Sequence, residues 1–392
     1  MKPLPDLPGA LEASIGLRVD QIDTPALVVD LDAMERNIAR MADFARKHQV
    51  LWRPHAKMHK SAEIALLLQR AGAVGACVQK TAEAEALAAG GGRDITITNQ
   101  VIAHPKLLRV ARLAARLQAQ GGRLALAVDS PEGITRLAEA MAQAAPQTRI
   151  DVLVEIDVGH WRCGVPPGEP ALALAQAVAR LTQLRFAGLQ AFQGRAQHMR
   201  SAAQRRSVAT ACVQSVRATC ERIQAAGLGV PLVTGGGTGT LVHEAASGVY
   251  GELQAGTFLF MDADYARNER EPAQPAFEHA LYVKTQVISR QGERAVCDAG
   301  HTSHAIDAGV PWVAHLPEGQ GLAYHSAGDE HGILTAETDE TPLPTIGSML
   351  WLVPSHCDPT VNLHDTLIGV RGGLVRGVVE RIIAVDARGA LS

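Results

Sequence analysis

The sequence predicts an α/β fold, a (β/α)8 TIM barrel followed by a C-terminal antiparallel β domain. Three observations predict it. Between residues 50 and 260, eight short β-rich apolar runs alternate with alanine-rich stretches of helical period, the number of strands that such a barrel requires. After about residue 266 the helical periods give way to short β-rich runs broken by turns. The glycine-rich turn that a doubly wound open sheet carries after its first strand is absent, which disfavours the main competing arrangement.

The barrel strands are expected at VLWRPHAK (50–57), AVGACVQ (73–79), DITITN (94–99), RLALAVD (123–129), IDVLVEID (150–157), LRFAGLQAF (184–192), PLVTGG (231–236) and ELQAGTFLF (252–260). Between them, stretches such as SAEIALLLQRAG and KTAEAEALAAG repeat apolar residues at three and four and often end at Gly, a common helix stop. PALVVDL (25–31) is a ninth strand and is assigned to the other domain. LYVKTQVISR, GERAVCDAG, PWVAHLP, SMLWLVPSHCDP and TLIGVRGGLVRGVVERIIAVD supply the β domain, and the polar NEREPAQP (268–275) reads as the linker to it. The expected domains are residues 32–265 for the barrel, and 1–31 with 266–392 for the β domain.

Composition narrows the function. With 392 residues, 47% apolar and 20% charged, the chain has room for one large and one smaller domain. A formal net charge of −3 gives no general attraction to nucleic acid or to an anionic membrane, so a local basic cluster points to a small anionic ligand. The stretch MKPLPDLPGALEASIGLRVD lacks the apolar run of a signal peptide, and no run of about 18 apolar residues occurs, so a cytoplasmic protein is expected. Cys77, Cys163, Cys212, Cys220, Cys297 and Cys357 are scattered without a CxxC pair, which suggests neither a disulfide framework nor a thiolate zinc knuckle.

The basic cluster is LWRPHAKMHKS, residues 51–61. Lys57 falls at the end of the first barrel strand, where a TIM barrel builds its site. Extended chain would set His55, Lys57 and His59 on one side and Lys60 on the other, with Lys60 at the surface. An amine flanked by cations and partly desolvated has a larger neutral fraction and forms Schiff bases, the chemistry that holds pyridoxal phosphate. A lone lysine would ordinarily be a solvated turn residue; two further strand ends argue otherwise. TGGGTGT follows the seventh strand, and Thr234, Gly235, Gly236, Gly237 and Thr238 would offer backbone N–H groups to a phosphate. DVGHWRCGV follows the fifth strand and presents Arg162, whose fixed fork suits an anionic oxygen.

PSHCDPT (354–360) adds a second chemistry. Extended, it would put His356 and Asp358 on one face and Cys357 on the other. Imidazole plus carboxylate, completed by water, suits Mn2+ or Mg2+, whereas a thiolate in place of the carboxylate would favour Zn2+.

Together RPHAKMHKS, CVQKTAEAEAL, VEIDVGHWRCGV, FQGRAQHM, TGGGTGT, MDADY, DEHG and PSHCDPTVN resemble the D-threonine aldolase and D-3-hydroxyaspartate aldolase group. This is the metal-activated branch of the alanine racemase-like, fold-type III pyridoxal phosphate enzymes, to which D-serine dehydratases are related. The resemblance runs in the same order from about Thr24 to the C-terminus. It implies that Lys57 carries the cofactor, that Arg162 hydrogen-bonds its phenolic oxygen, and that Gln79, the Gly235 to Thr238 turn and Tyr265 lie around ring and phosphate. Phe192 stands where the family usually has Tyr, so only ring packing is expected there, and Thr302 stands where relatives commonly carry Lys. His301 and His304 have no assigned role. The dehydratase relatives usually have Cys at the position of Asp358, which favours an aldolase here.

The expected reaction is metal-assisted cleavage of a D-3-hydroxy amino acid to glycine and an aldehyde. His198, just beyond the sixth strand, is the expected base for the β-hydroxyl proton. His55 and His59 are expected to support the site from behind. The alternatives are a dehydratase of the same fold and a non-catalytic pyridoxal phosphate carrier. The resemblance further implies a homodimer in which DEHG (329–332) acts across subunits.

Overall fold

The eight barrel runs form eight parallel strands. β1 is Ala26–Asp30, and the barrel strands are β2 Leu51–Trp52, β3 Ala76–Val78, β4 Asp94–Ile97, β5 Arg123–Val128, β6 Ile150–Glu155, β7 Leu184–Ala191, β8 Val233–Gly235 and β9 Glu252–Leu253. Their order is β2-β9-β8-β7-β6-β5-β4-β3. The ring closes between its ends, because Val74 N donates to Trp52 O at 3.0 Å and Cys77 N to Pro54 O at 2.9 Å. The computed structural model describes residues 14–314 and 319–392; the assignment of residues 1–13 to the β domain, and most of the N-terminal stretch read as lacking a signal, lie outside them.

Helices intervene as the periodicity predicts. Ser130 accepts from Gly133 N at 3.1 Å to cap Pro131–Ala144, and Glu83 turns back to Lys80 N at 3.1 Å to cap Thr81–Ala89. β6 is buried along its whole length, as a strand covered on both faces must be. Among the described residues, no helix is long and apolar enough to cross a membrane.

The remaining strands are β10 Leu281–Gln291, β11 Arg294–Cys297, β12 Trp312–Val313, β13 Leu322–Ser326, β14 Gly332–Ala336, β15 Met349–Val353, β16 Thr366–Arg371 and β17 Val378–Ala384. With β1 they form a nine-stranded sheet in which β13-β14-β11-β10-β1-β16-β17 run in that order, β15 pairs with β10, and β12 pairs with β15. The ninth strand of the sequence is thus built into this sheet. Its pairing with β16 is parallel, Val28 opposite Ile368, and the other pairings are antiparallel.

The chain divides into two compact units. One comprises residues up to Arg40, Thr257–Arg267 and Ala276–Arg388; the other comprises Met41–Gly256, Asn268–Pro275 and Gly389–Ser392. The division falls inside the helix Leu31–His48 rather than before it. The expected linker at 268–275 is corrected: it packs on the barrel loops. Asn268 Nδ2 donates to Gln197 O at 2.8 Å, Glu269 N to Arg200 O at 2.9 Å and Gln274 Nε2 to Thr238 O at 3.1 Å, while buried Glu271 pairs with Arg206 at 2.9 Å. Its polar residues hydrogen-bond the barrel loops, with Glu271 buried, where composition alone reads a linker.

Candidate active site

Lys57 stands on a turn that its neighbours build. The first barrel strand ends at Trp52, and Ala56–Met58 is a single 3-10 turn, so the extended alternation expected through His59 does not occur. His55 Nδ1 accepts the Lys57 N–H at 3.3 Å and His59 Nδ1 accepts the Ser61 N–H at 3.1 Å. Each imidazole therefore satisfies a backbone donor that the short turn leaves unpaired. His55 Nε2 lies 3.2 Å from Thr98 Oγ1 and 3.1 Å from Gln79 Nε2, and Gln79 Nε2 also donates to the Thr98 hydroxyl at 3.1 Å. Gln79 is thereby fixed beside the turn.

The other cations of the segment have separate tasks. Lys60 is buried at left-handed φ +51° and pairs with buried Glu83, correcting its assignment to the surface. Arg53 is buried between Glu252 at 3.0 Å and Asp94 at 2.6 Å, at the opposite end of the barrel. A cavity of about 460 Å³ opens there, but Arg123 pairs with Asp94 and Arg185 with Asp151, so its charges are mutually committed.

The glycine loop is braced from behind. Gly235 lies in β8 against Ala191, Gly236 adopts φ +72°, and a Cβ on Gly237 would stand 2.4 Å from Gln197 Oε1. Gln197 Oε1 accepts Gly239 N at 2.8 Å and its Nε2 donates to Thr240 Oγ1 at 2.9 Å. The Thr234 hydroxyl is turned into the barrel, donating to Glu252 Oε1 at 2.8 Å and accepting from Gln254 Nε2 at 3.0 Å. Thr238 is buried in the loop.

Arg162 and His198 lie on two loops that are laced together. Gly194 N donates to His160 Nδ1 at 3.3 Å and Gln193 Nε2 to Val158 O at 3.1 Å, while the Phe192 ring meets His160 edge-on at 6.3 Å. Burial, with the Arg162 and Arg195 charges, holds the His160 pKa below its ordinary value. His198 closes the 3-10 turn Arg195–His198 and is exposed. The pieces of a phosphoaldehyde cofactor site fit together in kind: an amine, a glycine loop, and a guanidinium, Arg162, without an ion pair among the described residues.

In the other unit, His356 is an extended residue capping the short helix Cys357–Val361, so PSHCDPT is not extended throughout as expected. The pair survives this change: His356 Nε2 lies 3.9 Å from Asp358 Oδ2. His356 Nδ1 donates to Asp307 Oδ2 at 2.7 Å, the arrangement that orients a metal-binding imidazole with its other nitrogen free to ligate. Burial lowers the His356 pKa, but Asp358 and Asp307 outweigh it and the net direction is up. Cys357 is buried, its thiol pushed up by burial, and directed at Met261 O, so it offers no thiolate. Among the described residues no group of three His, Cys, Asp or Glu is disposed to hold a metal, which leaves a two-residue donor pair. Asp262 ties this motif to Tyr265, accepting Tyr265 N at 3.0 Å and Cys357 N at 3.3 Å. Burial raises the pKa of Asp262 to about 6. Ala263 N also donates to Pro354 O at 2.9 Å, so Tyr265 and the His356–Asp358 pair are neighbours.

Asp307 and Gln197 escaped the sequence reading, although Asp307 lies in the same DAGHTSHAIDAG segment as the two unassigned histidines. Those histidines now have partners. His304 is buried, with Nε2 3.0 Å from Tyr324 OH, which itself donates to Ala299 O at 2.9 Å. His301 bonds Ser326, and Thr302 donates from Oγ1 to the carbonyl of Asp329, the first residue of DEHG, at 3.0 Å.

A parallel eight-stranded α/β unit and a separate, largely antiparallel β unit define the alanine racemase-like fold class. The family described as alanine racemase, N-terminal domain, matches residues 29–264, and the putative serine dehydratase domain matches residues 280–370. The chain belongs to the family of D-threonine and 3-hydroxy-D-aspartate aldolases. It is 42% identical to a D-threonine aldolase of Arthrobacter sp over 94% of this chain and 93% of that one. It is 39% identical to a 3-hydroxy-D-aspartate aldolase of Paracoccus denitrificans (strain Pd 1222) over 98% of this chain and 95% of that one. The crystal structure of D-threonine aldolase from Filomicrobium marinum superposes with a TM-score of 0.91 at 44% identity, covering 96% of this chain and 99% of the other.

Proposed function

We propose that this protein is a pyridoxal phosphate- and divalent metal-dependent aldolase that cleaves D-3-hydroxy amino acids to glycine and an aldehyde. The observation that carries the reading is the Asp307–His356–Asp358 arrangement beside Tyr265. It offers a hard cation an oriented imidazole and a carboxylate, and withholds the neighbouring thiol. That donor set favours Mn2+ or Mg2+, and with it an aldolase over a dehydratase.

Bound pyridoxal phosphate supplies the electron sink for the pair released when the Cα–Cβ bond breaks. In this reading Lys57 holds the cofactor through its amine, the backbone from Gly235 to Thr238 receives the phosphate, and Arg162 faces the phenolic oxygen. Thr234 contributes through its backbone, since its hydroxyl is engaged by Glu252. Gln79, Phe192 and Tyr265 border the ring. His356 and Asp358 would hold the cation, which would serve to lower the pKa of the substrate β-hydroxyl. His198 takes that proton on its imidazole. The family resemblance supports a homodimer.

The test is product analysis of the holoenzyme with Mn2+, Mg2+ or Zn2+ on D-threonine, D-3-hydroxyaspartate and D-serine. Glycine and an aldehyde are expected with Mn2+ and are lost on chelation. Ammonia and a keto acid would establish the dehydratase instead. A Lys57→Ala protein that kept its yellow cofactor would remove the enzyme reading altogether.

A further inference from the structure

The rim between β6 and β7 carries more positive charge than the proposed cofactor uses. The bonds from Gly194 N to His160 Nδ1 and from Gln193 Nε2 to Val158 O draw the two loops together. A Cβ on residue 194 would stand 2.3 Å from His160 Cε1, so only glycine permits this approach. Arg195 follows directly, its N–H held by Gln193 Oε1 at 3.0 Å. The rim thus gathers His160, Arg162, Arg195 and His198, all close enough to act on the His160 charge. Two carboxylates face them: buried Glu155 acts on Arg162, and Asp157 acts on His160 with its Oδ1 engaged by the N–H groups of Gly159 at 2.9 Å and Trp161 at 3.1 Å. Neither arginine forms an ion pair among the described residues. The phenolic oxygen of the cofactor would answer Arg162 and leave the exposed Arg195 unmatched.

We propose that Arg195 is a specificity-determining residue that receives an anionic group on the aldehyde-forming half of the substrate, so that 3-hydroxy amino dicarboxylates are preferred to D-threonine. This rests on the aldolase reading above. A guanidinium meets a carboxylate through two parallel N–H donors, a geometry that a methyl group cannot use. The gain therefore appears in discrimination between substrates.

The experiment compares kcat/KM of the Mn2+-loaded holoenzyme for D-3-hydroxyaspartate and D-threonine in wild type, Arg195→Gln and Arg195→Lys. In Arg195→Gln the ratio of the two values is expected to fall at least about tenfold, mainly through KM for the dicarboxylate, with partial recovery in Arg195→Lys. An unchanged ratio overturns the proposal, and so does an equal loss on both substrates, which would place Arg195 on the shared α-carboxylate. A wild-type protein that cleaves neither substrate would instead defeat the aldolase reading, so the two failures are distinguishable.

Discussion

His356 Nδ1 donates to Asp307 Oδ2 over 2.7 Å, fixing the tautomer that leaves Nε2 toward Asp358. Removing the Asp307 charge should weaken the imidazole as a ligand while leaving both donors in place. Asp307→Asn is expected to lower Mn2+ affinity about 10- to 100-fold, read by equilibrium dialysis of the cofactor-loaded protein. Unchanged affinity would assign the bond a purely structural role.

Glu244 lies behind the glycine loop, fully buried, with its pKa pushed up to about 8 by burial while Thr240 opposes the shift. Both folded and unfolded states bind the proton below about pH 4. Between there and the folded value near 8 only the folded state keeps it, so stability falls as pH rises across that window. Glutamine is neutral throughout. Glu244→Gln should therefore raise Tm by several degrees near pH 8 and by much less near pH 5. A Tm difference independent of pH contradicts the assignment.

Arg205 is completely buried, and its guanidinium donates to the carbonyls of Met199 at 2.6 Å, Arg200 at 3.0 Å and Gly239 at 3.1 Å, and to that of Glu269. One side chain thus fixes the His198 turn, the glycine loop and the 268–275 segment. Arg205→Met strands these acceptors and is expected to cost about 3 kcal/mol, measured by the shift of the urea midpoint.

Glu83 binds Lys60 and also accepts Gln79 N at 2.8 Å and Lys80 N at 3.1 Å. Lys60→Met leaves a buried carboxylate without its cation, at an expected cost of about 3–5 kcal/mol in denaturant unfolding. The double variant Lys60→Met, Glu83→Gln should recover much of this loss; equal destabilisation in both would show that the charge pair was not the cause.

The sequence by itself determined where the barrel strands lie, because a strand buried on both faces reads as a mostly apolar run, and Ile150, Val152, Leu153 and Val154 supply one within IDVLVE at 150–155. It also pointed to Lys57, Arg162, His356 and Asp358, whose side-chain chemistry is uncommon in that company. Only the tertiary structure decided which way Lys60 turns, that residues 268–275 are packed rather than linking, that His55 and His59 cap the lysine turn, and that Asp307 backs a histidine 49 positions away. Periodicity reports which face of a regular element meets the core. A hydrogen bond or ion pair closed between two loops has no period, and its partners become visible only once the chain has brought them within three ångströms.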